Sequence, residues 1–159
     1  PVKSSTICLF RVDVDYVDSK GLEAIERISK KFEAKGTYFL NISGEEEYED
    51  EIGHCKLKEQ TTPRRLKLLL SIKKEGNEIS NHGYWHLVFN NLSANYKNIL
   101  KGENYLKKVF GKIYGFAAPG AECNSRLLGA LKKQIILIAV ILVLILASFL
   151  IIRYITTRN

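Results

Sequence analysis

The sequence predicts an α/β fold: about four strand-helix units with parallel strands and helices packed outside them, followed by one C-terminal transmembrane helix. Three observations predict it. Apolar runs with strand character alternate with segments whose apolar residues recur at helical spacing, and most connections are short. Residues able to carry chemistry fall at the C-terminal ends of the runs: Asp13 and Asp15, His82 and His86, Pro119 and Gly120. In parallel α/β folds that rim collects the functional loops. Finally, Ile135 to Ile152 is an uncharged apolar run of 18 residues, long enough to cross a bilayer.

Taken in order, Ser4 to Val14 reads as a buried strand through Ile7, Cys8, Leu9, Phe10, Val12 and Val14. Asp18 or Ser19 then caps a helix with an inner stripe of Leu22, Ile25, Ile28 and Phe32, and Gly36 closes it. Thr37 to Ile42 is the second strand. Glu45 to Glu51 is an acidic run that reads as a solvated loop, and His54 and Cys55 after it have no partner at metal-binding spacing. Thr62-Pro63 opens a second helix, with Pro at its first position, Leu66, Leu69, Leu70 and Ile72 facing inward, and Gly76 as its stop. Glu78 to Ser80 is a short third strand. Ser93 caps the next helix, where Tyr96, Ile99, Leu100, Leu106, Val109 and Phe110 have helical spacing and Gly111 marks the end. Ile113 to Ala118 is a fourth strand. Asn124 or Ser125 starts a last helix carrying Leu127, Leu128 and Leu131.

This divides the chain into residues 1–134, a βα domain; 135–152, the membrane helix; and 153–159, a short basic tail. The alternative for the apolar run is a buried core helix, but nothing in the chain is large enough to cover it on all sides. Basic residues flank both ends of the run, so the side of the membrane is open. The chain begins at Pro rather than Met, and no signal peptide is visible. Net charge is +7, with the basic residues scattered along the predicted helices rather than gathered with aromatics. No nucleic-acid motif appears. Cys8, Cys55 and Cys123 form no zinc pattern and read as buried or free thiols.

The chemistry centres on His82 and His86, at i and i+4. On a helical turn both imidazoles point to one side and can grip a divalent metal; an ordinary loop pair is the alternative. Two neutral nitrogens leave a metal short of ligands, and the early Asp13-Val14-Asp15 can supply a carboxylate.

Four segments now occur in order: Phe10-Arg11-Val12-Asp13-Val14-Asp15, Gly36-Thr37-Tyr38-Phe39, Gly76-Asn77-Glu78-Ile79-Ser80-Asn81-His82-Gly83-Tyr84-Trp85-His86 and Gly115-Phe116-Ala117-Ala118-Pro119-Gly120. Over about residues 4–133 the chain resembles the polysaccharide deacetylase family (carbohydrate esterase family 4, including nodulation-type deacetylases). The resemblance implies a partial (β/α) barrel of that type. It implies Asp15, His82 and His86 as ligands of a divalent metal, most often zinc, with cobalt or another divalent ion as substitutes. Asp13 would be the general base, and Tyr16, Trp85, Pro119 and Gly120 would line the substrate cleft. Packing roles for Tyr84 and Trp85 fit as well.

Three departures from the family pattern stand out. Ala117 occupies the position of an Arg that orients the catalytic Asp. No His follows His86, although the family has a later Leu-x-His motif. Four strand-helix units do not close a seven-stranded barrel, so a partner chain completes it, or the domain is truncated, or its edge is covered differently. The implied activity is removal of N-acetyl groups from an amino-sugar polymer. The alternatives are a membrane-anchored degenerate domain that binds metal or glycan without turnover, and a tether whose globular part is an interaction platform.

Overall fold

The computed structural model describes residues 10–43 and 60–134. The start of the first predicted strand with Cys8, the acidic run with His54 and Cys55, the apolar run Ile135–Ile152 and the tail lie outside the described residues. No helix among the described residues is long and apolar enough to cross a membrane.

Three strands, β1 (Phe10–Asp13), β2 (Gly36–Leu40) and β3 (Glu78–Asn81), form a parallel sheet in the order β1-β2-β3. The crossovers are helices α1 (Ser19–Lys31) and α2 (Pro63–Lys74), and α3 (Leu92–Phe110) follows β3. A strand's side chains alternate between its two faces. Val12, Val14, Tyr38, Leu40 and Ile79 take one face and pack with Leu22 of α1, Leu69 and Ile72 of α2, and Leu106 and Phe110 of α3. That face is the core. The other carries Arg11, Asp13, Thr37, Phe39, Glu78 and Ser80, a mostly polar set, with Thr37 Oγ1 donating to Glu78 Oε2 and Ser80 Oγ to Glu78 Oε1.

The helix ends follow local chemistry. Asp18 caps α1 by accepting from Gly21 N. Thr62 caps α2 by accepting from Arg65 N, with Pro63 in the first turn where its missing N–H costs nothing. The inner stripes differ from expectation. Within α1, Ile28 is 57 % exposed while its neighbour Ser29 is buried, and Phe32, 69 % exposed, lies past the end of the helix at Lys31; Gly36 opens β2. On α2 the buried positions are Arg65, Leu69 and Ile72, while Leu70 is turned outward. Asn91, not Ser93, caps α3, its Oδ1 accepting from Ala94 N.

The predicted fourth strand, Ile113 to Ala118, shrinks to one parallel bridge between Asn81 and Phe116. Asn81 N donates to Gly115 O and Ala117 N donates to Asn81 O, and there the ladder stops. Upstream stands the exposed Tyr114; downstream Pro119, which has no N–H, enters a short 3-10 turn over Pro119–Ala121. The expected four units are therefore three strands and a bridge.

The chain divides into two compact units. The first holds residues up to Val88 and Lys97–Glu122, and so the sheet and everything described above it except the start of α3. The second holds Phe89–Tyr96 and the residues from Cys123 onward. There Asn124 caps the helical residues 125–134 by accepting from Leu127 N, and Asn95 pairs twice with the Phe89 backbone. Leu127 and Ala130 are buried, whereas Leu128 is exposed.

Arg65 is a fully buried cation whose guanidinium donates to the carbonyls of Val14 and Val17. It thus pins the loop leaving β1 to α2. Arg65→Met is expected to destabilise the fold by about 2–4 kcal/mol, because a buried carbonyl and a part-buried one lose charge-assisted partners. Urea unfolding of the variant beside the wild type measures this.

Candidate metal centre

The loop leaving β1 delivers Asp15, and the loop leaving β3 delivers His82 and His86. All three side chains are buried. One Asp15 oxygen, Oδ2, lies 3.1 Å from His86 Nε2 and 3.5 Å from His82 Nε2. One ligand atom from each residue lies within 4.8 Å of the other two, a spread that a single cation can span.

The imidazoles do not converge by way of a helical turn. Gly83 adopts φ 89°, which breaks the helical path and favours glycine. The rings nevertheless stand 5.1 Å apart, centroid to centroid. The loop is held by side chains in place of helical hydrogen bonds. Asn98 Oδ1 accepts from Tyr84 N and Trp85 N, both at 2.8 Å, and Asn98 Nδ2 donates to the carbonyls of Trp85 and Leu87. Asn81 Oδ1 accepts from Gly83 N at 2.9 Å, and its Nδ2 donates to Ile99 O. Gly102 lets α3 come this close: a Cβ there would meet Asn81 Oδ1 at 2.6 Å and the backbone of Gly83 and Tyr84 at 2.8–2.9 Å. A glycine inside a helix costs about 1 kcal/mol against alanine, so close approach is what this one provides.

The donor set suits a divalent cation. His82 Nδ1 lies 2.9 Å from Ala117 O. A carbonyl only accepts, so Nδ1 carries a proton, and Nε2 is the nitrogen that faces Asp15 Oδ2, across a gap that either a proton or a cation can fill. The second Asp15 oxygen, Oδ1, is buried with no hydrogen-bond partner. Burial pushes the Asp15 carboxyl up, but hydrogen bonds and charge from His82 and His86 outweigh it and hold it at about 2. The carboxylate is thus ionised and ready to coordinate. Behind it, Gln60 Nε2 donates to Asp15 O at 2.6 Å, a second tie beside Arg65 on the same loop.

The other predicted site residues are placed as follows. Asp13 lies on the polar face of the sheet, paired with Arg11 through Nε and Nη2, each 2.7 Å from a carboxylate oxygen. That pairing raises the Arg11 pKa. Tyr16 stands against His86, ring edge to face with centroids 5.4 Å apart and its hydroxyl 3.4 Å from Nδ1. Trp85 packs edge-on to Tyr84, with Lys101 Nζ 4.6 Å from its ring centre. Pro119 is buried and Gly120 exposed, two and three residues past the carbonyl that holds His82. Sequence reasoning missed Arg11, Asn98, Gln60 and the Ala117 carbonyl. Only Arg11 left a signal, since two residues along a strand share a face.

A family model described as polysaccharide deacetylase matches residues 9–136. No curated protein matches the chain. Among solved structures, the chain resembles the Xyl-CE4 domain of a multidomain xylanase from the hindgut metagenome of Trinervitermes trinervoides, at 17 % identity and TM-score 0.57, over 75 % of this chain and 50 % of that one. It also resembles a family 4 acetyl xylan esterase from Clostridium thermocellum, solved with a cobalt ion, at 17 % identity and TM-score 0.54, over 75 % of this chain and 51 % of that one. The chain thus spans about half the length of either structure.

Asn98→Ala would remove four side-chain hydrogen bonds from the histidine loop, although Tyr84 N keeps the main-chain carbonyl of residue 98 and Trp85 O keeps Leu87 N. It is expected to cost about 3 kcal/mol in urea unfolding and to weaken cobalt uptake. Gly102→Ala is expected to weaken cobalt uptake too, although helix propensity alone favours it; titration by visible absorption measures both.

Proposed function

The chain belongs to the polysaccharide deacetylase family, and on that premise we propose that it forms part of a metal-dependent hydrolase that removes N-acetyl groups from an amino-sugar polymer. The observation that carries this reading is the buried meeting of Asp15, His82 and His86, with the His82 tautomer set by Ala117 O. Two imidazoles and one carboxylate suit zinc, and cobalt or another divalent ion fits the same donors. Such an ion supplies polarisation of the acyl carbonyl and a more nucleophilic water.

The chain's own residues do the rest. Asp15, His82 and His86 hold the ion. Asp13 takes the proton of the attacking water, and Arg11 keeps that carboxylate oriented by a two-point pair. This offsets the Ala at position 117, where the family carries an orienting Arg. Tyr16 steadies His86 and borders the cleft, together with Trp85, Pro119 and Gly120. The products are acetate and a free amine on the sugar. The polar face of the sheet and the half-length match support completion of the barrel by further chain or a partner. The uncharged run Ile135–Ile152 supports single-pass membrane anchoring. A second reading, binding of metal or glycan without turnover, is favoured by Ala117.

The test is acetate release from N-acetylglucosamine oligomers by protein loaded with Zn²⁺ or Co²⁺. Release that chelation abolishes is expected. Asp13→Asn should lower kcat about 100-fold or more with metal content unchanged, and Arg11→Met should lower kcat about tenfold, again with metal retained. Fully loaded protein that releases no acetate would leave the binding-only reading.

A further inference from the structure

Asn41 follows the last residue of β2 and is 1 % exposed. Neither its Oδ1 nor its Nδ2 has a hydrogen-bond partner. An amide with both ends unmet is uncommon in a protein interior, and the strand register says where this one sits. β1 pairs with β2 up to Asp13 opposite Phe39, and Val14 N donating to Phe39 O carries the ladder on. β2 pairs with β3 up to Leu40 opposite Asn81, and His82 N donating to Leu40 O does the same there. The next row on the polar face is therefore Asp15, Asn41, His82. Asn41 occupies the middle position, between the carboxylate and the first imidazole. Its backbone is fixed there, since Ile42 N and Ser43 N both donate to Tyr84 O.

The unmet atoms are complementary. Asp15 offers both imidazoles the same oxygen, Oδ2, and leaves Oδ1 buried without a donor. Asn41 Nδ2 is a buried donor without an acceptor in the same row. We propose that Asn41 is a positioning residue of the cation site, its carboxamide donating to Asp15 Oδ1 when a divalent ion occupies Oδ2 and the two Nε2 atoms. A ligating carboxylate is free to rotate about its last bond unless its second oxygen is held. Asn41 fixes that plane, and so the geometry at the ion. The inference rests on the metal reading above and adds to it a residue that touches neither ion nor substrate.

The experiment uses Co²⁺, whose visible absorption reports coordination geometry, on the wild type, His82→Ala and Asn41→Leu. Leucine matches asparagine in shape and offers no donor. The expected result is cobalt affinity about tenfold lower or weaker still, a changed visible spectrum, and a melting temperature of the metal-free protein equal to or above wild type, because an unmet buried amide is gone. Affinity within twofold of wild type with an unchanged spectrum would overturn the role of Asn41. Where Asn41→Leu does not fold, Asn41→Ala is read by the same criteria. Cobalt uptake by the wild type that is lost in His82→Ala establishes the site independently of Asn41. A wild type that takes up no cobalt overturns the metal reading and this inference together.

Discussion

One buried proton sets the chemistry of this protein: the Nδ1–H of His82, given to the carbonyl of Ala117. With that proton committed, Nε2 is the nitrogen left to face Asp15 and to take an ion. The alternative tautomer would bring a lone pair against a carbonyl oxygen in the interior, which is costly. The carbonyl is available because the bridge at Asn81 holds the segment from Gly115 to Ala117 against β3. A stub of strand too short to add much to the sheet therefore decides which nitrogen of a distant side chain can coordinate. The position where an arginine was expected contributes through its main chain, which no substitution of its side chain removes directly.

The same logic holds on the other side of the site. Asp15 sits on a loop fastened by Gln60 and Arg65, both belonging to or just preceding α2. The histidine loop is fastened by Asn81 and Asn98. Neither ligand segment has regular structure, yet most of the polar groups named in them are matched. Buried amide and guanidinium side chains serve where repeating backbone pairing cannot.

Much of this was legible in the sequence. Asp18, Thr62 and Pro63 marked helix starts because capping chemistry is local. The parallel order followed from alternation, and Asp15, His82 and His86 stood out together through their place at strand ends and the motifs around them. What was not legible depends on contacts distant in sequence. Periodicity assigned the inner stripe of α2 to Leu66, Leu69, Leu70 and Ile72; Leu69 and Ile72 are buried there, but Arg65 is too, because carbonyls in another loop, not apolarity, make it a core residue. Ile28 had the right spacing but the buried position there is its neighbour Ser29, and Phe32 lies past the last helical residue. Residues 113–118 looked like a strand, but only Phe116 pairs, with Asn81, and Pro119 without an N–H ends the run. Of the two readings of the histidine pair, the loop holds: Gly83 gives its N–H to Asn81 Oδ1, and Asn98, remote in sequence, holds the next two residues.

The ligand triad also joins pieces that are remote along the chain: the exit of β1, the exit of β3 and, through Ala117, the segment beyond α3. An ion seated there acts as a clasp on the native topology, because an unfolded chain cannot present the three groups together. Its affinity for the folded state is then folding free energy, growing by about 1.4 kcal/mol for each tenfold rise in free ion above the dissociation constant. Heat resistance thereby becomes a gauge of metal supply, so a domain with a modest three-stranded core would outlast starvation for the ion only briefly and persist where the ion is abundant.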